Sequence, residues 1–178
     1  MAKFDSSVIP EVVHGFNVYD GNGDRQVGIT DEMSLAEITS KMATISGAGI
    51  AGSYDVPVIG HFDSITQEIP FRTLYINLGT ILNPMKVQTL NIRGAIQVTD
   101  SSTGLTDFAQ IRYMIKGRTK SLSPGNLKPG DVMGSKIAIE ASSLLIEIGG
   151  SNVLEIDKRN TVFRVDGVDL LEKVRKMC

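Results

Sequence analysis

The sequence predicts a mainly β protein, because alternating apolar and polar residues recur along the chain in runs separated by turn-forming residues. The composition agrees, since 18 glycines against 6 prolines, with no tryptophan, suit many strands joined by turns. A chain of 178 residues with 42% hydrophobic content can bury a proper core. We therefore expect one domain over residues 1–178, with helices only as short elements.

The last third of the chain, residues 136–176, predicts a β-meander closed by a helix. Apolar residues alternate up to Ala141 and continue from Leu144 on the opposite parity, which indicates one long strand with a bulge near Ser142 and Ser143. Two shorter strands and the helix follow after glycine-containing turns. In chain order their markers are Gly149-Gly150-Ser151-Asn152 for the first turn, Leu154 and Ile156, Phe163 and Val165, Asp166-Gly167 for the last turn, and Leu170, Leu171 and Val174 for the helix.

Four further segments alternate as strands do, at residues 12–19, 67–78, 87–99 and 108–120. The alternation is cleanest over residues 87–99, which predicts a strand with one face in the core and the other in water. The inward set is Leu90, Ile92, Gly94, Ile96 and Val98, and the outward set is Thr89, Asn91, Arg93, Gln97 and Thr99. Residues 79–84 leave room for one helical turn at most.

Residues 108–120 also carry a basic stripe, formed by Arg112, Lys116 and Arg118 together with Gln110. These side chains share one parity, and the apolar residues of the strand occupy the other. The stripe is either a solvated sheet face or a surface for a polyanion or for a partner's carboxylates.

The segment over residues 33–45 has no clean strand alternation. Leu35, Ile38, Met42 and Ile45 recur near helical spacing, and good helix formers lie between them. The pattern alone therefore predicts a helix.

The turn after the first strand carries acidic residues at the spacing of a calcium loop. Asp20, Asn22 and Asp24 imitate the start of an EF-hand. Arg25 stands where that loop requires glycine, and the preceding residues have the pattern of a strand. A hairpin turn that returns over residues 24–29 is the preferred interpretation, and a calcium-binding β module is the alternative function.

A glycine-rich loop at residues 47–52 matches the dinucleotide-binding fingerprint letter for letter. That fingerprint needs a helix after the loop, because the helix N-terminus binds the pyrophosphate. Pro57 and its β-branched neighbours argue against such a helix. A nucleotide-dependent enzyme is therefore the third hypothesis, and a flexible loop between two strands is preferred.

The residues that could carry chemistry do not assemble into an active site. His14 and His61 lie in no metal-ligand spacing, and no nucleophile motif is present. The single cysteine, Cys178, cannot form an internal disulfide, and the net charge of −2 gives no global field for nucleic acid. No apolar run approaches the roughly 20 residues that span a bilayer. We expect no enzyme activity, no metal, no cofactor and no membrane insertion.

Three stretches together resemble the major tail tube proteins of phages with contractile tails. They are His14-Gly15-Phe16-Asn17-Val18-Tyr19, then Lys41-Met42 with the glycine-rich loop and Val56-Pro57-Val58, then Leu154-Glu155-Ile156-Asp157 with Asn160-Thr161-Val162-Phe163-Arg164-Val165 and Asp166-Gly167-Val168-Asp169-Leu170-Leu171. Arg93-Gly94-Ala95 and Leu127-Lys128-Pro129-Gly130 also fit. The match covers most of the chain in order. It favours a strand, and not a helix, over residues 33–45.

The resemblance implies a β-sandwich or half-barrel protomer that forms hexameric rings. The rings would stack into a tube with a continuous inner β-barrel, through which DNA or effectors pass in a phage tail or a tail-like injection particle. The implied partners are further copies of this chain, the tail sheath, baseplate and tape-measure proteins, and DNA in transit. The implied location is a virion tail assembled in the bacterial cytoplasm. The family often has a longer helix after the strand that matches residues 71–78, and this chain departs from it there.

Two sets of residues are expected to serve this assembly. The outward set of residues 87–99, that is Thr89, Asn91, Arg93, Gln97 and Thr99, is expected to line the lumen, with the basic stripe as a competing inner wall. Residues 46–55 are expected to form a mobile loop that orders against a neighbouring subunit or ring. Its contact residues would be Gly47, Gly49, Ile50, Gly52 and Tyr54.

Overall fold

The computed structural model describes residues 7–74 and 78–178, and over this part the chain forms ten strands and two short helices. In chain order they are β1 Val8–Tyr19, β2 Ser40–Ser46, β3 Ser53–Phe62, β4 Thr66–Phe71, α1 Leu78–Ile81, β5 Gln88–Asp100, β6 Thr106–Ser123, β7 Ser135–Ile148, β8 Ser151–Asp157, β9 Val162–Val165, β10 Val168–Asp169 and α2 Glu172–Met177. The predicted mainly β class is confirmed.

Eight of these strands form one antiparallel sheet, and β2 and β3 form a separate hairpin. The order in the large sheet is β1-β5-β6-β7-β8-β9-β10, and β4 also pairs with β7. Strand β7 therefore has two partners on one of its edges: β8 along residues 143–148 and β4 along residues 135–140. The sheet branches at β7, which gives the protomer its folded, half-barrel character.

The branch point coincides with the predicted bulge in β7. Lys116 of β6 pairs with Ser143, whereas the next residue, Gly117, pairs with Ala141, so Ser142 is the extra residue. The bulge reverses the parity of the apolar residues on β7, which keeps Ile139 and Leu144 both buried. The predicted bulge and the predicted meander of β7, β8 and β9 are confirmed.

The core lies on one face of the large sheet. Leu90 and Ile92 of β5 pack in one cluster with Tyr113 of β6 and Ile139 of β7. Three members of the predicted inward set of β5 are buried, and Gly94 and Ile96 are partly buried. Adjacent to this cluster, partly buried residues of the segment 29–38 pack against it.

The helix predicted for residues 33–45 is wrong. Residues 33–39 are irregular, and β2 begins only at Ser40. The reason is Gln67, a fully buried side chain of β4. Its Oε1 accepts a hydrogen bond from the backbone N–H of Ala36 at 2.9 Å, and its Nε2 donates to the carbonyl of Ser34 at 2.8 Å. Two backbone groups that a helix would use for its own hydrogen bonds are thus bonded to the buried side chain of Gln67 instead.

Two other predicted strands differ from the structure. Strand β4 ends at Phe71, so the strand predicted over residues 67–78 is too long, and its positions 75–77 lie outside the described residues. The predicted return strand over residues 24–29 is reduced to isolated bridges, Tyr19 to Arg25 and Ile29 to Phe71. Helix α1 is a single turn, as predicted.

The closing helix α2 begins later than predicted, because the Asp169 carboxylate binds a backbone N–H group that precedes the helix. The Asp169 carboxylate accepts a hydrogen bond from the backbone N–H of Leu171 at 3.0 Å. Leu171 is buried and packs on Gly60 of β3, where an added Cβ would lie only 2.4 Å from the leucine Cδ1. The helix itself therefore starts at Glu172.

Candidate functional site

The five outward residues of β5 share the side of the sheet that lies away from the core. We call this side, with the residues of β6 directly opposite them, the polar face. Gln97 donates to Glu11 at 2.7 Å, and the hydroxyls of Thr99 and Thr106 lie 3.3 Å apart. Asn91 is nearly covered in the protomer, and its Oδ1 accepts from Arg112. The polar face therefore carries several hydrogen-bonding groups, interrupted by Met114 opposite Asn91 and by the exposed ring of Phe108 opposite Gln97.

The basic stripe belongs to the same surface. In the β5–β6 ladder, Thr89 lies directly opposite Lys116, and Arg93 lies directly opposite Arg112. Residues directly opposite each other in an antiparallel pair point to the same side of the sheet. The basic stripe and the outward set of β5 are therefore not alternatives, because both lie on one polar face.

The polar face carries an excess of positive charge. Arg112 is paired with Glu147 of β7 at 3.1 Å. Arg93 instead stacks on the ring of Tyr19, with 4.6 Å from its guanidinium carbon to the ring centroid. Within the described part of the chain, Arg93, Lys116 and Arg118 form no ion pair. Three cations per protomer thus remain available to an external anion.

The β2–β3 hairpin holds the glycine-rich loop at its tip. The ladder continues through Ile45 with Tyr54 and Ser46 with Ser53, so the loop covers residues 47–52 and is shorter than the predicted 46–55. Gly49 and Gly52 have φ of 89° and 106°, which glycine adopts without strain. Five large apolar side chains of the hairpin are exposed: Met42, Ile45, Ile50, Tyr54 and Ile59.

The base of the hairpin is fixed to the C-terminal meander. The rings of Phe62 and Phe163 meet edge to face, with 5.1 Å between their centroids. Leu171, which precedes α2, also packs on Gly60 of β3. A fixed base with an apolar tip that the protomer leaves uncovered is typical of a segment that contacts another molecule.

The sequence of the chain matches a known family over nearly its whole length. The model of the family described as phage tail tube protein FII matches residues 10–177. The chain belongs to this phage tail tube family. It is 27% identical over 160 residues to the tail tube protein of Escherichia phage P2, an alignment that covers 87% of this chain and 90% of the phage P2 protein.

The fold of this tail tube protein is similar to that of a chain in a solved injection apparatus. The structure is the sheath/tube terminator of PVC, an extracellular contractile injection system, in its extended state. The TM-score is 0.55 at 13% identity, and the alignment covers 78% of this chain and 97% of that chain. The likeness concerns the fold, and it supports the predicted protomer architecture.

The structure gives no support to the calcium hypothesis. Asp20 Oδ1 accepts hydrogen bonds from the backbone N–H groups of Asn22 and Asp24, both at 2.9 Å. The acidic spacing is therefore that of a turn stabilised by its first carboxylate. In residues 7–74 and 78–178, no group of three or more His, Cys, Asp or Glu side chains is placed to hold a metal ion.

The nucleotide hypothesis is not supported, because a strand and not a helix follows the glycine-rich loop. Residues 53–62 form β3, and Pro57 lies within it opposite Met42. The glycine-rich loop of the tail tube protein thus turns one strand into the next, with no helix N-terminus for a pyrophosphate.

Of the described helices, none is long and apolar enough to cross a membrane.

An ion-pair cluster at the C-terminus of the tail tube protein was not predicted. Asp169 pairs with Arg175 of α2 at 2.6 Å and with Arg164 at 3.6 Å, and Arg164 also bonds Glu155 at 2.8 Å. The hydrogen bond from Arg175 lowers the pKa of Asp169 and outweighs the opposing effect of desolvation. Alternating charges on β8, β9 and β10 are the signal, but only the strand register brings them together.

Proposed function

We propose that this tail tube protein forms the inner tube of a contractile phage tail or of a tail-like injection particle, by closing into hexameric rings that stack. The observation that carries the proposal is the edge strand β1, whose outer edge pairs with no other strand among residues 7–74 and 78–178 apart from the bridge of Tyr19 to Arg25. This strand pairs with β5 on one side, and Ile9, Val12 and Val13 on it are exposed. A long exposed apolar edge strand favours pairing with another chain, and ring closure satisfies that edge while preventing open-ended aggregation.

The polar face is the surface that suits the inside of such a ring. Its polar groups are hydrogen-bonded, it extends over the paired strands β5 and β6, and the apolar core lies behind it. We propose that Thr89, Asn91, Arg93, Gln97 and Thr99 line the lumen together with Arg112, the member of the basic stripe that lies opposite Arg93. DNA or effector proteins would pass over this wall, and the ion pair of Arg112 with Glu147 would moderate its attraction for phosphates.

The β2–β3 hairpin is the segment that we assign to contacts between rings. Its tip, residues 47–52, combines glycines with the exposed side chain of Ile50, and the exposed Tyr54 adjoins the tip in β3; a neighbouring subunit would cover both side chains. Ordering a glycine-rich tip costs conformational entropy, so contacts must offset that cost. Sheath, baseplate and tape-measure proteins are the further partners of a tube of this kind, in a virion tail assembled in the bacterial cytoplasm.

Assembly of the purified protein tests the proposal. We expect light scattering to rise with protein concentration and negative-stain electron microscopy to show rings with sixfold symmetry and stacks of them. Addition of the particle's initiating baseplate complex should lengthen the stacks. A protein that stays strictly monomeric at high concentration, even with that complex present, would contradict the proposal.

Deletion of Gly49 to Ser53 separates stacking from folding. The shortened hairpin should leave circular dichroism and the melting temperature of the protomer unchanged, since the tip makes no core contacts. The same variant should fail to form tubes. Tubes of normal length and yield from this variant would show that the tip has another role.

A further inference from the structure

Carboxylates are concentrated at one end of the strands β1, β5 and β6. Glu11 lies near the start of β1, Asp100 ends β5 and Asp107 begins β6. Glu11 and Asp107 are exposed, and in the described ranges none of the three carboxylates has a cation within 4.0 Å. We call these three residues the acidic end.

The Asp100 carboxylate of the acidic end remains charged at neutral and mildly acidic pH, because its pKa is lowered. The Ser102 hydroxyl and the backbone N–H groups of Thr103 and Ser102 bond the Asp100 carboxylate and lower its pKa to about 2. Glu11 accepts one hydrogen bond, from Gln97, and Asp107 accepts one from the backbone N–H of Phe108.

Cations are concentrated at the opposite end of the same three strands. Lys116 and Arg118 lie near the end of β6, Arg25 bridges to the end of β1, and Lys86 precedes β5. We call these four residues the basic end. The carboxylates Asp20 and Asp24 lie in the adjoining turn, and Glu140 of β7 lies opposite Arg118 but is paired with Lys120, so cations remain in excess at this end.

The two ends are too far apart to neutralise each other within one protomer. Asp107 and Arg118 are both on β6, and their separation of eleven residue steps spans roughly 35 Å at the usual rise of a strand. At physiological ionic strength the Debye length is about 8 Å, so each end presents its own field to solvent. Each end therefore presents a charge that an oppositely charged surface of another molecule can neutralise.

We propose that the acidic end of one protomer stacks on the basic end of a protomer in the next ring. The proposal rests on the tube function above and adds the residues and the polarity of the contact. Head-to-tail stacking joins opposite charges, whereas head-to-head stacking joins like charges and is disfavoured. A contact between two different surfaces of the same protein repeats without closing, which is the geometry of a growing tube.

Two charge reversals test this contact. The variant E11K/D107K has cations at both ends, and the variant K116E/R118E has carboxylates at both ends. Asp100 is left unchanged because it holds the β5–β6 turn together. K173E, which reverses an exposed cation of α2, is the matched control.

The readout is the critical concentration for tube formation, measured by sedimentation at low and high NaCl. Each reversal alone should raise it about tenfold, equivalent to about 1.4 kcal/mol per subunit, and K173E should leave it unchanged. An equimolar mixture of the two reversed proteins should form tubes near the wild-type critical concentration, which also shows that both are folded. High salt should raise the wild-type value.

The inference is overturned if either reversal leaves the critical concentration unchanged, or if the mixture assembles no better than its components. Both of those outcomes require wild-type tubes. Failure of the wild-type protein to form tubes under all conditions would instead contradict the proposed tube function.

Discussion

Replacement of Gly117 by alanine is expected to destabilise the protein by about 3 kcal/mol, because the new methyl group meets the backbone of β7. An added Cβ at this position would lie 2.1 Å from the carbonyl oxygen of Glu140 and 2.8 Å from its carbonyl carbon. Gly117 is opposite the bulge at Ser142, where β6 and β7 approach most closely. Since β7 links β6 to both β4 and β8, a shift there propagates through the sheet.

Gly15→Ala is the matched control for this substitution. Gly15 is also a strand glycine that pairs with an alanine, but an added Cβ there has no atom within 4 Å. We expect this variant to have unchanged or slightly higher stability, because alanine restricts the unfolded chain more than glycine does. Urea denaturation of both variants gives the comparison. Equal stability of the two would refute the close approach of β6 and β7.

Replacement of Gln67 by alanine is expected to cost about 3–5 kcal/mol, because it removes the hydrogen bonds that hold residues 33–39 and leaves a cavity. The backbone N–H of Ala36 and the carbonyl of Ser34 lose their partner. Gln67→Leu keeps most of the side-chain volume. It should therefore recover the stability lost to the cavity but not the stability lost with the hydrogen bonds.

Hydrogen exchange locates the effect of Gln67. In Gln67→Ala the amide of Ala36 should exchange much faster, while amides in the β5–β6 ladder should change only through the loss of global stability. Gln110→Ala, an exposed glutamine on the polar face, should alter stability by no more than about 0.5 kcal/mol. An unchanged Ala36 amide in the Gln67 variant would contradict the role of this side chain.

Local pattern was sufficient for the strands but not for the contacts between them. The change of parity between Ala141 and Leu144 gave the bulge correctly, because side-chain alternation is a property of a single strand. The polar residues of β5 were likewise assigned to one face. That Arg93 faces Arg112 depends on the register of two strands, which alternation alone does not contain.

The errors arose where a distant side chain decided local structure. Leu35 and Ile38 have helical spacing, yet the segment is irregular because a glutamine about 30 residues later captures its backbone. Asp169 bonds a backbone N–H just before α2, and it also binds arginines from β9 and α2, which the sequence pattern does not indicate. Both contacts depend on tertiary structure.

Thiol labelling of assembled tubes tests most directly whether the polar face lines the lumen. Single cysteines would replace Gln97 and, as the matched neighbour on the opposite side of β5, Ile96, in a background where the exposed Cys178 is changed to serine. In tubes, we expect Gln97→Cys to react with a small maleimide but not with one linked to a large polymer, and Ile96→Cys to react with neither. Reaction of Gln97→Cys with both reagents in intact tubes, or preferential labelling of Ile96→Cys, would contradict the account.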